Sequence, residues 1–182
     1  MKRTMYIITA GSVALTVVFA VLFANTRTGA FYSLAVTFGT VAYHFLMRLG
    51  VGFAFVITMK NRADYNSAWF KCRPWEKKLY KFLGVKNWKH RLPTFEPNVF
   101  NPKLHTWDEI AQAMCQAELV HETIVILSFV PVAFSAVFGA FWVFLITSLC
   151  AAAFDLMFVI IQRYNRPRII RLIKNNTNPS SI

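Results

Sequence analysis

Long apolar runs, separated by basic and proline-containing stretches, set the pattern of this chain. Residues 6–24 carry no charge, residues 30–59 carry only His44 and Arg48, and residues 123–161 carry only Asp155. A membrane span takes about 20 residues. The first two runs therefore suit one span each, and the last is long enough for two, with a turn near Ser135–Gly139. The pattern predicts transmembrane helices over about 6–24, 30–58, 119–136 and 140–161. The expected fold class is an all-α membrane protein of four transmembrane helices with short amphipathic interfacial helices. The whole chain, 1–182, is read as a single membrane domain.

Between the second and third runs lies an interfacial segment, 60–118, punctuated by Pro74, Pro93, Pro97 and Pro102. It is too short to bury an independent core. Pro74 is placed to open a short helix and Gly84 to close it. Trp75, Leu79 and Phe82 fall on one face of that helix, with Lys77, Lys78 and Lys81 around the others. Val85, Trp88 and Leu92 continue the pattern. Aromatic stripes ringed by lysines describe helices lying in the membrane interface. Glu76 fits that description badly, because the surface it would meet is anionic. Thr106, followed three residues later by Glu109, has the capping-box pattern. A helix is expected to start there and run into the third span, with a kink at Pro131.

Composition agrees with the pattern. Hydrophobic residues make up 56% of the chain and mean hydropathy is +0.43, against about 45–50% apolar in soluble domains. Lys2 and Arg3 precede the first run as in a signal peptide, but the run is long and Leu22-Phe23-Ala24 is a poor cleavage site. It is read as a retained span. Of the 20 Lys and Arg, eleven lie in residues 60–118 and five follow the last span, as a basic tail over 162–182. With four spans these segments share one side with the N-terminus, and the positive-inside rule makes it cytoplasmic. The expected location is the cell membrane, multi-pass, with both termini cytoplasmic. The opposite loops hold only a few residues, which argues against a receptor. Net charge of +12 suits anionic lipid head groups. The basic residues flank spans instead of forming a basic domain, so nucleic acid is not an expected partner. Cys72, Cys115 and Cys150 have no metal or disulfide spacing, and no metal is expected.

Three polar groups stand out as candidate chemistry. The last run ends in Gln162-Arg163-Tyr164-Asn165-Arg166-Pro167-Arg168. Any span may end in basic residues, but arginines among amides and a phenol suit forked hydrogen bonding to a phosphate or carboxylate. Pro167 is expected to end the span there. Near the entry of the third span, Glu118 lies three and four residues before His121 and Glu122, on one helical face. A carboxylate bonded to that imidazole would make it a general base. The plainer reading is interfacial polar residues paired with nearby arginines. His44 and Arg48 form a similar pair in the second run, with His44 the competing base. An Arg48–Asp155 ion pair would offset the cost of charge within the spans.

These residues also resemble a known family. Trp75-Glu76, Tyr80, Leu83-Gly84-Val85, Trp88-Lys89, Arg91-Leu92-Pro93, Glu118-Leu119, His121 and the Gln162–Arg168 ending, in that order, look like the motifs of the glycosyl-4,4'-diaponeurosporenoate acyltransferases, small bacterial membrane proteins. The resemblance covers about residues 40–172. It implies transfer of a fatty acyl group onto a hydroxyl of a lipid-linked sugar, in the named family a glycosylated carotenoid. It also implies no bound cofactor, with acyl-CoA or acyl-carrier protein as co-substrate. Membrane lipids, the sugar acceptor and the acyl donor are then the partners, and the oligomeric state stays open. His121, oriented by Glu118 or Glu122, would be the base. Arg163, Asn165 and Arg166 would hold an oxyanion or the donor phosphate. Arg48, Trp75, Glu76, Trp88, Gln162, Tyr164 and Arg168 complete the binding candidates. No Ser or Cys stands in a nucleophile setting, so direct transfer is expected. Two other readings stay open: a non-catalytic membrane scaffold in which arginine–carboxylate pairs lock helices together, and another lipid-modifying enzyme such as a methyltransferase or reductase.

Overall fold

The structure, a computed structural model, describes residues 2–177; the last five residues of the basic tail lie outside the described residues. The described chain is an all-α membrane protein. Seven α-helices follow one another: α1 (Lys2–Thr26), α2 (Gly29–Met59), α3 (Pro74–Phe82), α4 (Val85–Trp88), α5 (Trp107–Leu127), α6 (Val130–Phe138) and α7 (Phe141–Thr177). Short 3₁₀ turns at Ala68–Phe70, Lys89–Arg91 and Pro97–Phe100 join them. Four helical stretches, α1, α2, α5 with α6, and α7, are long and apolar enough to cross a membrane.

The chain divides into two compact units. The first comprises Met1–Phe53 with Ile124–Ala153. Its helices hide few side chains, and several of those carry hydroxyls: Thr9, Ser12, Thr40, Ser128 and Ser148. Thr9, Ser12, Thr40 and Ser128 donate to the carbonyl four residues earlier, which satisfies the hydroxyl within its own helix. The expected kink at Pro131 takes the form of a break between α5 and α6. Proline supplies no N–H and its ring crowds the carbonyl four residues back. That carbonyl, Leu127, accepts the Tyr43 hydroxyl at 2.8 Å instead. At the next turn Gly139 adopts φ +67° and ψ −151°, a conformation open essentially to glycine alone, and α6 ends there.

The second unit comprises Ala54–Thr123 with Phe154–Ile182. Lys60 and Asn61, both left-handed, end α2, and the Asn61 N–H donates to the buried Gln116 side chain at 2.7 Å. Pro74 occupies the first turn of α3, and Gly84, at φ +59°, separates it from α4. The Thr106–Glu109 box is formed: the Glu109 N–H donates to Thr106 Oγ1 at 3.3 Å and the Thr106 N–H to Glu109 Oε2 at 2.8 Å. One expectation fails at α7, which runs through Pro167 instead of ending at Arg166. An interior proline costs a helix about 3 kcal/mol. Contacts on both sides of it hold the helix together, including Arg168, which donates to the Tyr164 hydroxyl at 3.2 Å across the proline.

Candidate functional site

The second unit gathers the charges that the long apolar runs lack. Arg163 on α7 forks onto Glu76 of α3, with Nε 3.0 Å from Oε2 and a terminal nitrogen 2.8 Å from Oε1. It also donates to Glu118 of α5 and to the carbonyls of Trp69 (3.1 Å) and Lys71 (3.4 Å). A guanidinium has five N–H donors. All five are spent, so Arg163 keeps none for a substrate. One turn on, Arg166 bonds the second Glu118 oxygen, the Phe70 carbonyl and Cys115 Sγ, with its guanidinium 5.1 Å from the Phe70 ring centre. Glu118 and Arg166 are 0% and 1% exposed. Two cations share one buried carboxylate, and a second carboxylate offsets the extra charge. The arrangement ties α3, α5, α7 and the 3₁₀ turn at Ala68–Phe70 into one body.

Glu76 is held at the edge of this network. Burial by itself would raise its carboxyl, but hydrogen bonds from Arg163, the Tyr80 hydroxyl (2.6 Å) and the Arg73 backbone (3.2 Å) prevail and hold it at about 2. Burial, then the bond to Glu76, pushes the Tyr80 phenol up. Glu76 is thus an anion at any physiological pH.

His121 has a different surrounding. Its Nδ1 lies 2.9 Å from Oδ1 of Asp155, a residue 1% exposed. Its ring stacks on Phe158 at 4.6 Å and 10°. A carboxylate can only accept, so Nδ1 carries a proton, and in the neutral ring Nε2 then presents a lone pair. The His121 side chain is 23% exposed, and Nε2 has no hydrogen-bond partner among the described residues. This is the arrangement of a general base and its orienting carboxylate. Helical spacing points to Glu118 or Glu122 as that carboxylate; in the structure it is Asp155. Glu118 is drawn to two full positive charges, and Glu122 accepts the Trp69 indole N–H at 3.0 Å.

The rest of the binding candidates fall in three places. Tyr164, Asn165 and Arg168 gather with Lys89: Lys89 donates to Asn165 Oδ1 at 2.8 Å, and Lys89 and Arg168 lie 4.9 and 5.0 Å from the Tyr164 ring centre. The Tyr80 ring meets Tyr164 edge-on at 6.0 Å. Gln162 is half-buried on α7. Trp75 is exposed, and Trp88 donates to the Leu83 carbonyl at 2.9 Å, which fixes α4 against the end of α3. His44 and Arg48 belong to the first unit. His44 is buried with its ring edge-on to Tyr43, and Arg48 donates to the carbonyls of His44 and Ala151 at 3.3 Å each. Sequence reasoning missed Asp155 as the partner of His121, missed Trp69, and named Tyr80 and Lys89 only as motif positions without a role. One signal pointed to Asp155: the lone charged residue among the 39 of 123–161 is costly unless it has a partner, and the sequence reading pairs it with Arg48.

Comparison with known proteins assigns the same region. The family model for glycosyl-4,4'-diaponeurosporenoate acyltransferase matches residues 66–175, which contain Glu76, Glu118, His121, Asp155, Arg163 and Arg166. No curated protein and no solved structure matches the chain.

Proposed function

The chain belongs to the glycosyl-4,4'-diaponeurosporenoate acyltransferase family and is an acyltransferase; from that premise we propose that it moves a fatty acyl group from a thioester donor onto a hydroxyl of a glycolipid at the cytoplasmic leaflet. A glycosylated carotenoid, the acceptor in the family's name, is the first to test. The observation that carries the residue assignment is the His121–Asp155 pair, with Nε2 open beside a ring-stacked imidazole. His121 Nε2 takes the proton from the acceptor hydroxyl as that oxygen attacks the thioester carbonyl. The tetrahedral intermediate collapses, the C–S bond breaks, and the imidazolium returns the proton to the departing thiolate. Asp155 holds the ring in the tautomer this requires and stabilises the imidazolium. Neither step needs an acyl-enzyme.

The same residues argue for separate tasks within the polar cluster. Glu118, Arg163 and Arg166 lock the helices, so the lock expected of a scaffold serves here as the frame of an enzyme. The topology of the reading, cytoplasmic termini and a site reached laterally by lipid, rests on the basic excess of residues 60–118. The test is lipid mass spectrometry of cells carrying the protein, its His121→Ala variant or neither. The protein should add a lipid heavier by one acyl chain, and His121→Ala should lower it by about a hundredfold or more, the usual worth of a general base, at equal protein in the membrane. An unchanged lipidome, or full activity in His121→Ala, refutes the assignment.

A further inference from the structure

The cations at Tyr164 differ in kind from those of the lock. Arg163 and Arg166 are matched by Glu76 and Glu118. Lys89 and Arg168 meet only an amide, a phenol and its ring, and neither has a carboxylate partner among the described residues. Two cations within about 5 Å of one ring raise each other's free energy unless an anion joins them. Accordingly, burial and then the charge of Arg168 push the Lys89 ammonium down. Asn165 orients Lys89 by its oxygen, and the ring of Tyr164 supports both cations from one side. The charge is kept in place without being neutralised, which is what an anion site requires and a structural ion pair does not.

We propose that Lys89 and Arg168, positioned by Tyr164 and Asn165, bind the phosphate of a phosphopantetheine thioester, the acyl donor of the reaction. The inference rests on the acyl-transfer reading and adds the polar end of the donor to it. Distance supports it. Asn165 and Arg168 lie ten and thirteen residues beyond Asp155 on α7, or about 15 and 20 Å at the helical rise per residue. A phosphopantetheine arm has about thirteen bonds from phosphorus to sulfur, which at the roughly 1.2 Å per bond of an extended chain reaches about 16 Å. The Arg168 guanidinium turns back one helical turn to the Tyr164 hydroxyl, so a phosphate held between it and Lys89 lies within that reach of His121. A lipid phosphate has the same head chemistry but carries no sulfur-bearing arm to reach the base.

The test reads binding without turnover. Titrate the full-length protein in neutral phosphatidylcholine nanodiscs with 4'-phosphopantetheine and with pantetheine, which lacks the phosphate. The expected result is phosphopantetheine bound about tenfold more tightly or better, the worth of one charge-assisted hydrogen bond. Lys89→Ala and Arg168→Ala should each erase most of that ratio, and Lys89→Arg should keep it. Equal binding of the two probes, or a ratio unmoved in both alanine variants, overturns the proposal. Repeating the titration in discs rich in phosphatidylglycerol separates the sources: a ratio abolished there identifies the occupant as a lipid head group and overturns the donor assignment. A protein that acylates lipid yet does not discriminate the probes defeats this inference alone. One that discriminates them yet acylates nothing defeats the acyl-transfer reading.

Discussion

At the scale of single residues, the imidazole of His121 and the guanidinium of Arg163 show how neighbours decide a role. Both are polar groups in an apolar setting, and both touch carboxylates. Arg163 has every donor occupied, so its contribution is to the fold. His121 has one nitrogen fixed by Asp155 and the other open, so the acyl-transfer proposal assigns it to chemistry. Asp155 is then a positioning residue acting through His121. Replacing it with Asn should lower kcat by about a hundredfold or more while KM for either substrate changes little, and Asp155→Glu should recover part of the loss. A change confined to KM would place Asp155 in binding. Glu76 supplies a second expectation. Its carboxyl is held at about 2, below the usual 4.5, so its stabilising effect is complete above about 4.5 and is lost as pH falls towards 2. Acid unfolding in detergent should show that loss in the wild-type protein. In Glu76→Gln, stability should be lower at neutral pH and flatter through that interval.

Among the helices, much of the framework was legible. The capping box at Thr106, the proline-to-glycine limits of α3 and the separation of the spans all follow from local rules. At both internal prolines the outcome depends on contacts from other helices. The kink expected at Pro131 goes as far as a break, and the Leu127 carbonyl it frees is satisfied by Tyr43 from a helix 84 residues away in sequence. Pro167 was expected to stop α7 and does not. Side chains just before it are fixed by α3 and α5, and a local rule cannot count such support. Of the candidate site, the sequence supplied Glu76, Glu118, Arg163 and Arg166, which do meet, but not the pairing of His121 with Asp155. Spacing of three and four residues finds neighbours on one helix only, so it joined His121 to Glu118. The competition that moved Glu118 to Arg163 and Arg166 is between helices. It has an energetic consequence: removing one member of a buried ionic cluster strands the others, at about 3–5 kcal/mol. Glu118→Ala should therefore lower the unfolding midpoint in detergent sharply and reduce the amount of protein in the membrane. Unaltered stability would show that the two arginines find other partners.

For the whole molecule, the second unit holds the arginine–carboxylate contacts, and the sidedness of the long apolar helices decides which leaflet the chemistry serves. The argument for the cytoplasmic side is electrostatic: eleven of 20 basic residues lie in 60–118 and five follow the last apolar run, while only Arg27 falls in the short turn after α1 and none falls in the turn at Gly139–Ala140. Exposed Trp75, Leu79 and Phe82 on α3, with Lys77, Lys78 and Lys81 beside them, suit a helix lying at an anionic surface. That face would set the depth of the α3 carboxylate Glu76, and through it the arginine lock and the His121 base. The topology predicts an asymmetry in reactivity. In a background with Cys72, Cys115 and Cys150 replaced by Ser, a single cysteine at Thr28 or Ala140 should react with a membrane-impermeant maleimide in intact cells. One at Arg62 or Lys103 should react only after the membrane is opened. The reverse pattern would put His121 at the outer leaflet, out of reach of any cytosolic phosphopantetheine donor, and would defeat both the orientation and the donor assignment.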